Sequence, residues 1–346
     1  MSEFSPLSLL QFNYAYGVPP LQGWLKEQPD YFCVDELLGF ELSGVGEHLY
    51  LQIEKQGLNT ADVATQLAAV FAVRPLDVGY AGMKDKHAVT RQWFSLYLPK
   101  KPQLELESIR LDMAQIKGVK LIAAQRHHQK LRRGQHQGNR FNITLTQLSG
   151  NLDLLSERMT AIASKGVPNY FGPQRFGING NNLLGVQGWF VDKRPPRRQL
   201  RGIYLSTARS FLFNRLLSAR VAENSWARVE EGDLPCPLAG ANTEAPTGPL
   251  WGRGRIKTSA HIAELENELA REYAQWCHGL EHSGLQQERR PLCLFLRNFQ
   301  WFWENQKLQL SFELPVGCYA TSVIREICIY EDRSRWQAQT ENVGEG

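Results

Sequence analysis

Strand-like segments dominate both ends of this chain, and its two longest amphipathic helical segments lie in the middle. Short apolar or alternating runs that end near glycine or proline predict strands at residues 78–82, 92–98, 141–145, 292–296 and 310–314. Apolar residues recur every three or four positions over 206–221 and 259–277, which predicts helices with one buried face. At 346 residues the chain is long for one hydrophobic core, so two domains are expected, and 42% hydrophobic residues suffice to fill both.

One acidic residue, Asp85, lies between two lysines in the turn that joins two of these strands. The turn presents the Asp85 carboxylate at an edge of the predicted sheet. Because the flanking ammonium groups of Lys84 and Lys86 lower a carboxylate's pKa below its free value of about 3.9, Asp85 is expected to be ionised at neutral pH. An ionised carboxylate suits a nucleophile or a charge stabiliser better than a general acid. The simpler interpretation is an exposed charged turn that only keeps the hairpin soluble.

Residues 113–152 contain no acidic side chain, although the whole chain has 35. The basic residues of this stretch are Lys117, Lys120, Arg126, His127, His128, Lys130, Arg132, Arg133, His136 and Arg140. Such a surface can neutralise phosphates, so we predict a basic patch. Within it, residues 125–134 are too polar for a core strand and predict a basic loop. Arg132 and Arg133 in this loop are candidates for phosphate contacts, and the alternative is a loop that is only solvated. A metal site at His127 and His128 is disfavoured, because adjacent residues of an extended chain point to opposite faces.

Two aromatic segments are candidates for contact with bases. Residues 167–177 form a loop punctuated by glycine that carries several aromatic rings, two amide side chains and Arg175, which can offer π-faces and donors to unstacked bases. Packing of the same rings into a core explains this loop equally well. Residues 138–140 lead into an alternating strand at Phe141, whose ring the backbone can fix at the rim of a sheet; the alternative is a core phenylalanine.

Several classes of protein are disfavoured by the sequence. No apolar run of eighteen residues occurs, and residues 1–6 carry neither a basic nor an apolar leader, so the expected compartment is the cytoplasm. The six cysteines include no C-x-x-C pair, which favours reduced thiols over disulfides or zinc. The phosphate-binding G-x-x-x-x-G-K-[ST], the G-x-S-x-G and the H-E-x-x-H patterns do not occur, and residues 44–49 lack the third glycine of a dinucleotide site. A cofactor-free enzyme that acts on RNA through one aspartate remains.

Five segments resemble, in order, the motifs of one family. They are residues 26–36 with their continuation over 44–60, residues 81–90, residues 138–141, residues 167–177, and residues 314–326. Together they resemble the bacterial tRNA pseudouridine synthases of the D type, the TruD family, which isomerise uridine-13 in the D arm of tRNA. The resemblance covers most of the chain.

The resemblance implies an α/β (α+β) fold. A pseudouridine synthase-like catalytic domain, built on a mixed, mainly antiparallel sheet, is expected over residues 1–165 and 301–346. It is interrupted by an α/β insertion, the TRUD domain, over residues 166–300, with an RNA-binding cleft between the two. The implied substrate is tRNA, with no cofactor, no metal, no membrane and no obligate protein partner.

The resemblance also implies roles for individual residues. Asp85 is the expected catalytic carboxylate, acting by attack on C1′ or by removal of the 2′ proton. Lys26 is the cation expected to keep Asp85 ionised, with Lys84 and Lys86 as further sources of positive potential. Phe141 is expected to contact the flipped uracil. Further residues expected to bind substrate are Lys26, Lys84, Asn139 and Arg175. Arg132 and Arg133, from the basic stretch, are expected to join them.

A non-catalytic tRNA-binding or RNA-chaperone protein is the alternative function. Asp85 discriminates the two, because binding to phosphates gains nothing from a carboxylate in a cleft, whereas isomerisation requires one. A ribonuclease is disfavoured, because the sequence lacks the paired general acid and base that it would need. A two-metal nuclease is disfavoured because it needs several convergent carboxylates, and the only tight acidic pair near the basic stretch is Asp35 with Glu36.

Overall fold

The computed structural model describes residues 5–99, 105–238 and 243–334. Within these ranges the α-helices are α1 (Pro6–Leu9), α2 (Thr60–Val70), α3 (Leu106–Met113), α4 (Asp153–Lys165), α5 (Asn181–Phe190), α6 (Arg198–Ala222), α7 (Ala260–Glu272), α8 (Ala274–Glu281) and α9 (Ala320–Ile327). The strands are β1 (Leu21–Leu25), β2 (Phe32–Leu37), β3 (His48–Lys55), β4 (Val78–Tyr80), β5 (Val89–Tyr97), β6 (Val119–His127), β7 (Gly138–Gly150), β8 (Val167–Pro168), β9 (Cys236–Pro237), β10 (Glu244–Ala245), β11 (Thr247–Leu250), β12 (Glu288–Pro291), β13 (Cys293–Leu294), β14 (Arg297–Glu304), β15 (Lys307–Pro315) and β16 (Cys328–Asp332).

The largest sheet has ten strands and is mixed but mainly antiparallel, as predicted. Seven strands follow the order β14-β15-β7-β2-β5-β3-β6, while β4 pairs with β5, and β1 pairs with both β7 and β16. Strands β2 and β5 run parallel, with Cys33 opposite Val89, and β2 runs antiparallel to β7. β5 follows the Asp85 turn in sequence, and β2 pairs with β5. The strand order places both at the centre of the sheet.

The chain divides into two compact units. The first, here called the helix unit, comprises residues 1–21, 150–296 and 318–329, and the second, the sheet unit, comprises 22–149, 297–317 and 330–346. The division predicted at residues 165 and 301 stays a prediction, and the end of its catalytic domain, 335–346, lies outside the described residues.

In the sheet unit, α2 and α3 cover one face of the sheet. Alternate residues of β3, among them Leu49, Leu51 and Ile53, join the buried cluster that also holds α2 and α3 side chains. Strand alternation places every second side chain on that face, so the helices bury one side of the strand. On the opposite side of β3, Tyr50 is also buried, in a smaller cluster with Ala81 and Leu131.

In the helix unit, the 25-residue helix α6 supplies much of the core. Its buried residues include Phe211, Phe213 and Leu217, which belong to one cluster with residues of α5, α7 and α8. The helix predicted at 206–221 is confirmed but begins earlier, at Arg198. The helix predicted at 259–277 is two helices, because Tyr273 leaves the helical region with φ −112° and ψ 38°.

The basic loop predicted at residues 125–134 is wrong for its first three residues. Residues 125–127 complete β6 and pair with β3, with Arg126 opposite Leu49. A buried arginine is tolerated there because its guanidinium donates a hydrogen bond of 3.1 Å to the Leu98 carbonyl.

No helix in the described ranges is both long and apolar enough to cross a bilayer.

Candidate active site

Asp85 lies in the segment between β4 and β5, in the sheet unit. Its side chain is 28% exposed. One carboxylate oxygen, Oδ1, accepts a hydrogen bond of 2.9 Å from the His87 amide, and the other, Oδ2, accepts one from Nζ of Lys26. The carboxylate is therefore held by two donors and remains open to solvent on one side.

Lys26 follows β1 directly and is a buried cation. Its side chain is 2% exposed, and Nζ lies 4.0 Å from the Asp332 carboxylate and 4.6 Å from the centre of the Phe32 ring. Its φ of 59° lies in the left-handed region, which costs a residue other than glycine about 1 to 3 kcal/mol. The 59-residue separation of Lys26 and Asp85 means that sheet pairing, and not local sequence, brings this ion pair together.

The pKa of Asp85 is lowered from its ordinary value. Burial alone would raise this pKa, but the positive charge of Lys26, its hydrogen bond and the bond from the His87 amide outweigh burial. Asp85 is therefore ionised at neutral pH, the state that nucleophilic or basic chemistry requires.

Lys84 has a different partner from the one expected of it. Its Nζ lies 2.7 Å from Oε2 of Glu36 on β2, and both side chains are almost fully buried. The other oxygen of Glu36 accepts a 3.1 Å hydrogen bond from the Trp93 amide. The charge of Lys84 is thus neutralised by Glu36, and Lys26 is the cation that contacts the Asp85 carboxylate.

A second buried lysine, Lys55, was not singled out as a site residue from the sequence. It ends β3, is fully buried, and its Nζ donates to the carbonyls of Leu58 and Asp85 at 2.9 Å each. Burial lowers the pKa of Lys55 to about 8, although the Asp85 charge acts in the opposite direction. Two sequence signals point to Lys55: it lies in the 44–60 continuation of the first family motif, and it continues the apolar face formed by Leu49, Leu51 and Ile53.

Two further polar side chains hold the same segment. The Thr60 hydroxyl accepts the Lys84 amide at 2.9 Å and donates to Oε1 of Gln92 at 2.8 Å, while the Gln92 amide donates to the Gly82 carbonyl at 3.3 Å. We call Glu36, Lys55, Thr60, Lys84 and Gln92 the loop-anchoring network. It holds the backbone of Gly82, Lys84 and Asp85 in place.

Asn139 and Phe141 lie on β7, in the sheet unit. Oδ1 of Asn139 is buried with no hydrogen-bond partner in the described part of the chain, so it can accept a donor from a ligand. The Phe141 ring is 7% exposed, stacks on Phe312 at 5.6 Å and meets the edge of Phe32 at 6.3 Å. Phe32 thus lies between Lys26 and Phe141, and Phe141 is a packed side chain in the free protein.

The three predicted arginines occupy two places. Arg132 and Arg133 are exposed in the sheet unit, where the Arg133 guanidinium lies 5.1 Å from the centre of the Tyr80 ring. Arg175 belongs to the helix unit and donates a 2.6 Å hydrogen bond to the Tyr319 hydroxyl. Of the basic stretch at 113–152, Arg126 and His136 are buried and Arg140 pairs with Glu313 at 2.8 Å, so only part of the stretch forms an exposed basic surface.

Comparison with known proteins identifies the family. The family model described as tRNA pseudouridine synthase D (TruD) matches residues 9–186 and 237–327. The chain belongs to the TruD family. A tRNA pseudouridine synthase D of Cellvibrio japonicus is 45% identical over 324 residues, which cover 92% of this chain and 93% of that protein. One from Aeromonas salmonicida is 42% identical and covers 94% and 96%.

A solved structure has the same fold. The protein described as tRNA pseudouridine synthase D from Methanosarcina mazei matches with a TM-score of 0.71 at 20% identity, covering 94% of this chain and 98% of that one. The pseudouridine synthase-like α+β fold expected from the sequence is therefore confirmed.

In the described ranges, no three His, Cys, Asp or Glu side chains are grouped so that they could hold a metal ion.

Proposed function

We propose that this chain isomerises uridine to pseudouridine in tRNA, at uridine-13 of the D arm, with Asp85 as the essential carboxylate and without a cofactor. The single observation that carries the proposal is the ion pair between the buried Lys26 and the partly exposed Asp85. The names of the relatives, which match nearly the whole chain, support tRNA as the substrate. The cytoplasm stays the expected compartment for this reaction.

The chemistry needs one ionised carboxylate. The bond from N1 to C1′ breaks, the uracil turns while it is held, and a bond from C5 to C1′ forms. C5 loses a proton and N1 gains one, so the reaction involves no net oxidation or hydrolysis. Asp85 can attack C1′ or remove the 2′ proton, and both routes use the carboxylate that Lys26 keeps charged.

The target uridine must leave its stack before Asp85 can reach C1′, at a cost of a few kcal/mol. The unpartnered Oδ1 of Asn139 is suited to accept an N–H of the flipped uracil. Contact of Phe141 with the uracil stays a prediction, because its ring already packs against Phe312. Phosphate contacts of Arg132 and Arg133, a hydrogen bond from Arg175 to an unstacked base, and a contribution of Lys84 to substrate binding belong to the same proposal.

The test is pseudouridine mapping of an unmodified tRNA transcript after incubation with the protein in EDTA without added cofactor. Asp85→Asn keeps the shape and removes the charge, so pseudouridine formation should disappear while tRNA affinity changes by less than tenfold, or about 1.4 kcal/mol. Asp77→Asn, which removes another carboxylate of the sheet unit, is the matched control and should keep full turnover.

The outcomes separate the two candidate functions. Substantial turnover by Asp85→Asn would remove Asp85 from the mechanism. Tight tRNA binding by the unmodified protein without any pseudouridine would favour the non-catalytic RNA-binding alternative. Pseudouridine at another position would retain the chemistry and reject uridine-13.

A further inference from the structure

A strongly basic surface of the helix unit has no role in the site described above. It consists of Lys193, Arg194, Arg197, Arg198 and Arg201, which are all exposed. We call these residues the α6 patch. The one acidic residue among residues 192–201, Asp192, forms an ion pair with Arg194. Residues 192–201 carry five basic side chains and one acidic side chain, so this short segment has a local formal charge of +4, equal to the net charge of the entire chain.

The position of these cations is unfavourable for the helix that carries them. α6 begins at Arg198, Arg197 is its N-cap without a side-chain capping bond, and the first turn has no acidic residue. The macrodipole favours acids at a helix N-terminus, and like charges four residues apart, such as Arg197 and Arg201, repel each other. α6 itself contains no acidic side chain that offsets this local loss of stability, a pattern found where a sequence serves binding.

A cavity of about 560 Å³ adjoins the α6 patch, between α5, α6 and α8. Trp189 forms part of its wall, stacks on Phe190 at 4.8 Å and is covered by the Arg201 guanidinium at 5.4 Å. His278 of α8 and His282, the residue that follows α8, also line it, with ring centres 4.1 Å apart. None of the described residues that line the cavity is acidic. An aromatic wall with a cationic rim suits an unstacked base and its phosphates.

We propose that the α6 patch binds phosphates of tRNA and that this cavity takes an unstacked base of the same RNA, as an RNA contact separate from the residues around Asp85. The inference rests on the proposed function, since the RNA is the proposed substrate. Four of the five cations are arginines, whose planar guanidinium can donate two parallel hydrogen bonds to one phosphate. An acidic peptide would use the charges but would leave the aromatic wall without a role.

The test reverses two charges at the start of α6. Arg197→Glu with Arg198→Glu should weaken binding of an unmodified tRNA transcript more than tenfold and reduce the slope of log K against log salt by about 1.5, because two phosphate contacts are lost. The control reverses two exposed cations elsewhere in the helix unit, Lys165→Glu with Arg228→Glu, and should bind within about threefold of the unmodified protein, because it makes the same change in net charge without removing a patch contact.

Two more measurements separate binding from folding and from chemistry. The melting temperature of the α6 variant should not fall, because glutamates are favoured at a helix N-terminus. The single-turnover rate at saturating enzyme should stay within about twofold, since Asp85 and Lys26 are untouched. If the Glu variant unfolds, Arg197→Gln with Arg198→Gln provides the same comparison without charge reversal.

The inference would be overturned if the α6 variant and the control had equal affinity for tRNA and equal salt slopes. It would also be overturned if the α6 variant bound tRNA normally but no longer bound an acidic peptide. Failure of the proposed function is distinguishable from this result. If the unmodified protein forms no pseudouridine, but the α6 variant still loses tRNA affinity, the reaction is rejected and the RNA contact stands.

Discussion

At the scale of single residues, Lys26 combines a costly backbone conformation with a buried charge. Its left-handed φ is costly in itself, and its buried charge would destabilise the protein if Asp85 and Asp332 did not face its ammonium group. Strain of this kind persists only where surrounding structure holds it in place. Here β1, which ends at Leu25, supplies that support through its pairing with β7 and β16.

The packing of Phe141 gives a prediction about stability. Because the ring is buried against Phe312 and Phe32, Phe141→Ala should lower the free energy of unfolding by about 3 to 5 kcal/mol. Urea unfolding together with the single-turnover rate of the folded fraction measures both roles. A small loss of stability with a large loss of rate would instead favour contact of Phe141 with the flipped base, and Phe141→Tyr, which keeps the ring face, is the matched variant.

The buried Lys55 predicts a pH dependence of stability. Its pKa is about 8 in the folded protein and about 10.4 when unfolded, so between these values the unfolded state binds more protons and the Lys55 contribution to stability rises with pH. Below about pH 8 the full cost of burying the charge is present. The unfolding free energy of the native protein relative to Lys55→Met should therefore increase from about pH 7 to about pH 9.5.

Urea unfolding of both proteins at the two pH values checks this, since groups other than the neighbouring Asp85 and Lys84 largely cancel in the difference. Lys86→Met, which removes the exposed lysine next to Asp85, should show no such increase in the difference in unfolding free energy with pH. A difference for Lys55→Met that does not change with pH would mean that Lys55 keeps its proton throughout this range.

At the scale of elements, the segment between β4 and β5 is fixed by the loop-anchoring network more than by its own backbone. The buried pair of Glu36 and Lys84 connects it to β2. Glu36→Gln leaves the Lys84 charge buried without its partner, so the free energy of unfolding should fall by about 3 to 5 kcal/mol. Replacing both residues, with Glu36→Gln and Lys84→Met, should restore much of the loss.

Denaturant unfolding of the two single variants and the double variant gives the coupling energy of this pair. Glu107→Gln is the control, because Glu107 pairs with Arg110 at 3.0 Å on the exposed side of α3 and should contribute little. Additive effects of the Glu36 and Lys84 changes would show that the two side chains do not depend on each other.

At the scale of the whole molecule, the sequence predicted the kinds of elements better than the contacts between them. The strands on both sides of Asp85 and the helix within α6 follow from periodicity. Residues 125–134 predict a loop because the run is too polar for a core strand, whereas the carbonyls of Glu47 and Leu98 accept hydrogen bonds from the Arg126 guanidinium within β6.

The partners of the charged residues depend on the order of strands in the sheet. Flanking position suggested that Lys84 would act on Asp85, yet the neighbouring β2 offers Glu36 to Lys84. Lys26 was linked to Asp85 only through the resemblance to a family, because no local rule joins residues so far apart. The bond of Lys55 to the Asp85 carbonyl could not be inferred, because a carbonyl has no signature in the sequence.

The pairing of β7 with β15 determines when one edge of β7 is covered during synthesis. Leu145 lies opposite Leu308, and about 160 residues separate the end of β7 from the start of β15. At about 5 to 20 residues per second, the ribosome needs roughly 8 to 30 s to make that stretch. Throughout this interval one edge of β7 has no strand to pair with, so a nascent chain is most exposed to aggregation after β7 emerges and before β15 follows.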